Sequence, residues 1–181
     1  GTICAIVIAS LPLTLSLAWV CNARLPAAAI WSDRCRSNLE QFNRALTSYA
    51  ASHATNYPAR LSMFDSTNIS VDPFACQALA EMPEASVAEA DLRRSDYIYV
   101  AGLGPSSPGG MPLIICPPEN HKNYGITMLT TDHRTTWKRM RSAEFDKYMA
   151  WLYSYAKSNG LNIVVSEHLT KISNGRYKPY P

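Results

Sequence analysis

Residues 2–21, TICAIVIASLPLTLSLAWVC, contain no charged side chain, and the first charge in the chain is Arg24. A helix needs about 20 consecutive apolar residues to cross a bilayer, so this run reads as a transmembrane anchor over 1–23. Ile3, Ile6, Ile8, Leu11, Leu13, Leu15 and Leu17 supply the lipid-facing surface, and Trp19 falls where an interfacial aromatic belongs. Pro12 removes one backbone hydrogen bond, which helices in membranes tolerate. Ala27, Ala28 and Ala29 have the character of a signal-cleavage site, but the apolar run exceeds the usual signal core. The run is read as a retained anchor.

The chain has 181 residues, and setting aside an N-terminal stalk of about 55 leaves enough for one small core. Lys+Arg 17 against Asp+Glu 14 gives a net charge of +3, too mild to imply nucleic acid. The densest basic cluster, Lys138, Arg139 and Arg141, reads as the solvated approach to a helix. There is no Gly-rich phosphate loop and no CxxC pair, and no Ser, Cys or His stands in a nucleophile context. The sequence therefore predicts no enzyme and no cofactor.

A polar segment follows the anchor. Leu39, Phe42, Leu46, Tyr49 and His53 recur with helical spacing, and Arg36, Glu40 and Arg44 form a charge ladder on another face. This predicts an amphipathic stalk helix within 24–55, capped by Ser32 or Asp33 and ending before Asn56-Tyr57-Pro58. A globular head over 56–172 and a tail over 173–181 complete the division. Within the head, 74–81 reads as a short helix, and 96–100 (DYIYV) and 113–116 (LIIC) read as strands. Residues 126–130 and 135–137 read as a hairpin around Thr131-Asp132-His133-Arg134. A second amphipathic helix runs from a Ser142 cap to a Gly160 stop, and 161–165 is a further strand.

The second helix carries Phe145, Tyr148, Trp151 and Tyr155. Its large side chains read first as core, and otherwise as a docking surface. The tail, SNGRYKPYP, cannot build a core of its own. It is expected to be disordered or to lie on a partner through Tyr177 and Tyr180.

Cys4 and Cys21 flank the anchor, and Cys35, Cys76 and Cys116 lie beyond it. In an oxidising compartment the preferred bridge is Cys76–Cys116, and the alternative is that all five stay reduced. His121, Asp132 and His133, with Glu119 nearby in sequence, form a weak metal-ligand candidate. The plainer reading has Asp132 stabilising its own turn and His121 bonding to nearby backbone.

Three segments, in order, carry a resemblance. The first is CRSNLEQFNRALTSYA over 35–50, followed by His53 and Tyr57-Pro58. The second is YIYVAGL over 97–103. The third is CPPENH over 116–121, then Gly125 and ITMLTTDHRTTW over 126–137. Together they resemble the pilin-like, prepilin-type proteins related to the major pseudopilin of type II secretion, of the planctomycete and verrucomicrobial kind. Two positions depart from that pattern: Ala5 stands where the family has a glutamate, and His133 stands where it has the glycine of an Asp-Gly turn.

The resemblance implies an α+β fold in which an N-terminal transmembrane helix continues into an amphipathic helix packed on a small antiparallel β-sheet, with a C-terminal helix. It implies a structural or accessory subunit of a larger membrane-associated assembly, in contact with lipid and other membrane subunits. The alternatives are a filament-forming pilin or pseudopilin and a metal-dependent enzyme at the 121–133 hairpin. The expected location is a single pass of the inner membrane with the head periplasmic or extracellular. The arginines at 24, 34, 36 and 44 would alone argue for a cytoplasmic head. A basic leader removed ahead of Gly1 reconciles the two.

Overall fold

The computed structural model describes residues 27–54, 56–64, 76, 95–121 and 123–180, with side chains from 33 onward except 34 and 62. The anchor over 1–23, and the helix expected over 74–81 apart from Cys76, lie outside the described residues. Among the described residues no helix is long and apolar enough to cross a membrane.

Helix α1 runs from Ala27 to Ser52. It passes straight through Ser32 and Asp33, so neither caps it. Burial outweighs capping preference here, because Cys35, Asn38, Leu39, Phe42 and Leu46 all lie within the core from that point on. Tyr49 is half-buried and His53 is exposed, stacked on the Tyr49 ring at 3.8 Å. Arg36 and Glu40 form an exposed pair at 3.6 Å on the outer face. Ala54, at φ 52, turns the chain left-handed beyond the helix end.

The sheet has five antiparallel strands in the order β4-β3-β2-β1-β5. These are β1 (Ile98–Ala101), β2 (Pro112–Cys116), β3 (Ile126–Thr130), β4 (Thr135–Lys138) and β5 (Asn162–Val164). Every residue of β1 and β2 is buried, so both faces are covered at the centre. One cover is α1, which lies over β3 and β4. Phe42 meets Tyr97 edge-on at 5.5 Å, and the Tyr99 hydroxyl donates to the Pro58 carbonyl at 2.6 Å. The register pairs Tyr99 with Ile114 and Ile114 with Leu129, which puts all three on the α1 face. Met128 pairs with Ile115 and therefore points to the opposite face.

Helix α2 (Ser142–Asn159) buries Phe145, Met149, Leu152 and Ala156 and ends at Gly160 in the left-handed region, φ 64. Its cap is Arg141, one residue before the expected Ser142. The Glu144 carboxylate accepts from the Arg141 N–H at 2.9 Å, while Ser142 donates to Asn123 at 2.7 Å. A short helix α3 (Glu167–Ile172) follows β5, where the sequence predicts no element. Ser166 caps it by accepting from the Leu169 N–H at 3.1 Å.

The tail belongs to the fold. Tyr177 is fully buried against Phe145 at 5.4 Å, and its hydroxyl donates to Glu119 at 2.7 Å. Arg176 reaches the same carboxylate at 2.5 Å and Asp146 at 3.4 Å. Tyr180 exchanges two backbone hydrogen bonds of 2.8 Å with Ile163. One buried aromatic and one ion-paired arginine hold a segment too short to form a core alone.

Candidate functional site

The sheet ends its second strand at Cys116, and a 3-10 turn, Pro118–His121, folds straight back from it. Pro117 and Pro118 stop the strand and fix that reversal. His121 is thereby carried beneath the sheet edge, with no exposed surface, and the Trp137 ring of β4 meets it edge-on at 5.1 Å. Cys35 comes from α1 on the same face, and Cys76 arrives from the stretch between Phe64 and Ser95. The three sulfurs and a ring nitrogen of His121 all lie within 4.8 Å of one another, and all four residues are buried.

Polar groups hold this cluster from behind. The Asp96 carboxylate accepts from the Cys76 backbone N–H at 2.6 Å and stands 3.4 Å from His168 Nε2 of α3. Asn120 donates through Nδ2 to the Asp96 carbonyl at 2.6 Å and towards Cys116 Sγ at 3.4 Å. The Cys35 thiol points at the Tyr97 hydroxyl, 3.8 Å away, which also accepts from Asn38 Nδ2 at 3.0 Å. Burial pushes the Cys35 and Cys116 thiols well up and the His121 imidazole down. Among the described residues neither ring nitrogen of His121 has a hydrogen-bond partner. An imidazole left so in a core costs about 1–3 kcal/mol.

Of the metal-ligand candidates read from the sequence, His121 alone belongs to this cluster. His121, Asp132 and His133 do not meet: Asp132 and His133 occupy the far end of the β3–β4 hairpin, and both are exposed. A strand advances about 3.3 Å per residue, so the length of β3 separates that turn from His121. Asp132 accepts from Thr130 Oγ1 at 2.5 Å and pairs with Arg134 at 3.3 Å, which is the turn-stabilising role. The hydrogen bond from Thr130, with Arg134 nearby, holds its carboxyl below the ordinary range. Glu119 is taken up by the tail. Among the described residues no backbone group bonds to His121.

Cys76 and Cys116 are neighbours, as the expected bridge requires, but among the described residues no disulfide joins them, and Cys35 is a third cysteine beside them. The aromatic residues divide. Phe145 and Tyr177 are core, Tyr148, Tyr155 and Tyr180 are half-buried, and Trp151 is 46% exposed. Trp151 lies 5.4 Å from Tyr148 and 5.7 Å from Tyr155, forming an outward aromatic row on α2.

Sequence reasoning missed the set of four because its members are far apart in the chain. The only local signal was Cys116 and His121 flanking Pro-Pro-Glu-Asn. No family model, no curated protein and no solved structure matches this chain.

Proposed function

We propose that this chain is a non-enzymatic, single-span membrane protein whose α+β head serves as an accessory subunit of a larger membrane-associated assembly. One observation carries the reading. Shortly after the uncharged run 2–21 the chain enters α1, and one face of the sheet packs against that helix, which buries Leu39, Phe42 and Leu46. A head built directly on such a helix moves with whatever holds the helix's start. In this reading the anchor sits in the inner membrane and the head in the periplasm or beyond. The exposed Trp151 row on α2 is the natural contact for a neighbouring subunit.

Filament-forming pilins and pseudopilins share this general layout. The run 2–21 holds no carboxylate to compensate a neighbour's terminal amine inside an apolar bundle, which supports an accessory role over a homopolymer.

Placing Arg at Leu13 costs about 3 kcal/mol of insertion free energy on translocon scales. The full chain is expected to stay in the membrane pellet after a carbonate wash, with recovery reduced for Leu13→Arg. Equal recovery of the two would refute the spanning anchor.

A further inference from the structure

We propose that Cys35, Cys76, Cys116 and His121 together bind one zinc ion, as a closed structural centre that fastens α1 to the sheet. The inference stands independently of whether the chain is held in a membrane.

Three sulfurs and one imidazole nitrogen form a donor set that suits tetrahedral zinc. Zinc–sulfur bonds of about 2.3 Å place tetrahedral ligands about 3.8 Å apart. The four donor atoms already lie within 4.8 Å of one another, so a single ion needs only a small contraction. An iron–sulfur cluster would need its ligands spread around several atoms, and this set is too close for that.

His121 distinguishes a metal from the other uses of three cysteines. A disulfide would consume two sulfurs and leave the buried, unpartnered imidazole as it is. A metal bond gives one ring nitrogen a partner in a place where the described residues supply no hydrogen bond. Binding releases three thiol protons to solvent and leaves a centre with net charge −1 (Zn²⁺ with three thiolates). The surrounding donors suit that charge. Asn120 Nδ2 is directed at Cys116 Sγ, and the Tyr97 hydroxyl, already accepting from Asn38, is free to turn its own proton to Cys35.

Four protein donors fill a tetrahedral shell and all four residues are buried, so the centre is structural rather than catalytic. A cleft of about 220 Å³ is bounded by Asp33, Arg36, Thr127, Thr135 and Trp137, the last being the residue whose ring meets His121. The centre joins the stalk helix, the end of β2, the turn after it, and the otherwise distant Cys76. It closes long loops, the case in which a cross-link restrains the unfolded chain most.

The test uses the full chain, purified in detergent without a metal-affinity tag and analysed for metal by mass spectrometry. One zinc per chain is expected. Cys35→Ser should fall well below one, while His121→Cys should stay at one because four thiolates also suit zinc. Asn120→Ala should keep the stoichiometry and weaken zinc affinity about 10–100-fold. Cobalt added to the reduced, chelator-stripped chain should give thiolate-to-cobalt charge-transfer absorption that Cys35→Ser loses. Zinc content unchanged in Cys35→Ser overturns the proposal. So does a reduced chain that takes up no Zn²⁺ or Co²⁺, or a native chain whose unreduced peptide map shows Cys76 linked to Cys116.

Discussion

His133 Nδ1 lies 2.6 Å from Asn43 Oδ1, so the turn of the β3–β4 hairpin is latched to the middle of α1. The same residue sits in the left-handed region at φ 62. Its ring also meets Tyr57 edge-on at 6.5 Å. The conformational cost of a side chain there is thus offset by contacts that glycine cannot make.

Substitution at this turn separates the two terms. His133→Ala keeps the backbone cost and loses the contacts, and should destabilise by about 1 kcal/mol. His133→Gly loses the contacts but relieves a left-handed cost of roughly 1–2 kcal/mol, so it should be the more stable of the two. Urea unfolding of the full chain in detergent measures both. The opposite order would mean that the φ of His133 carries no strain.

Leu46 is fully buried between α1 and the sheet. Leu46→Ala should cost about 2–5 kcal/mol, read in the same unfolding experiment. No loss would mean that the stripe faces solvent or a partner.

Gly125 precedes β3 where the chain passes under Trp137. A Cβ there would stand 2.5 Å from the Lys138 carbonyl oxygen and 2.7 Å from Trp137 Cζ2. Gly125→Ala should therefore destabilise by about 1–3 kcal/mol, because backbone must move. At Gly109 the nearest atom to an added Cβ is 3.8 Å away. Gly109→Ala should stay within about 0.5 kcal/mol of the parent.

The C-terminal segment is held by Tyr177, whose hydroxyl donates to the Glu119 carboxylate at 2.7 Å. Burial, then Glu119, raises its pKa, so the phenol keeps its proton and the bond through the physiological range. Tyr177→Phe should cost roughly 1.5–3 kcal/mol, the scale of a hydrogen bond to a charged group. Hydrogen exchange should show faster opening of Tyr180 and Ile163, whose backbones pair. Unchanged exchange would mean that the tail is fixed by other contacts.

Much of the head is legible in the sequence. Residues 126–138 form the expected hairpin, because β-rich strands flank a polar four-residue turn. Helix α2 ends at Gly160 as the glycine signals, and β5 follows it. The start of α1 was misplaced because Ser32 and Asp33 are competent caps locally, while the burial that carries the helix through them is tertiary. The tail was misread for a related reason. Its few apolar residues cannot form a core, but Tyr177 completes one made by Phe145 of α2. The buried cluster was the least legible feature. Cys35 comes from α1, Cys116 from the end of β2, His121 from the turn after it and Cys76 from a separate stretch, so the four meet only in the folded chain.

The proposed role is that of an accessory subunit beside other membrane proteins. Electron microscopy of native material, extracted in detergent and purified by a tag on this chain, tests it most directly. The expected result is a discrete particle holding one or a few copies of this chain with other membrane subunits. Helical filaments built from this chain alone would contradict it and return the plain pilin reading.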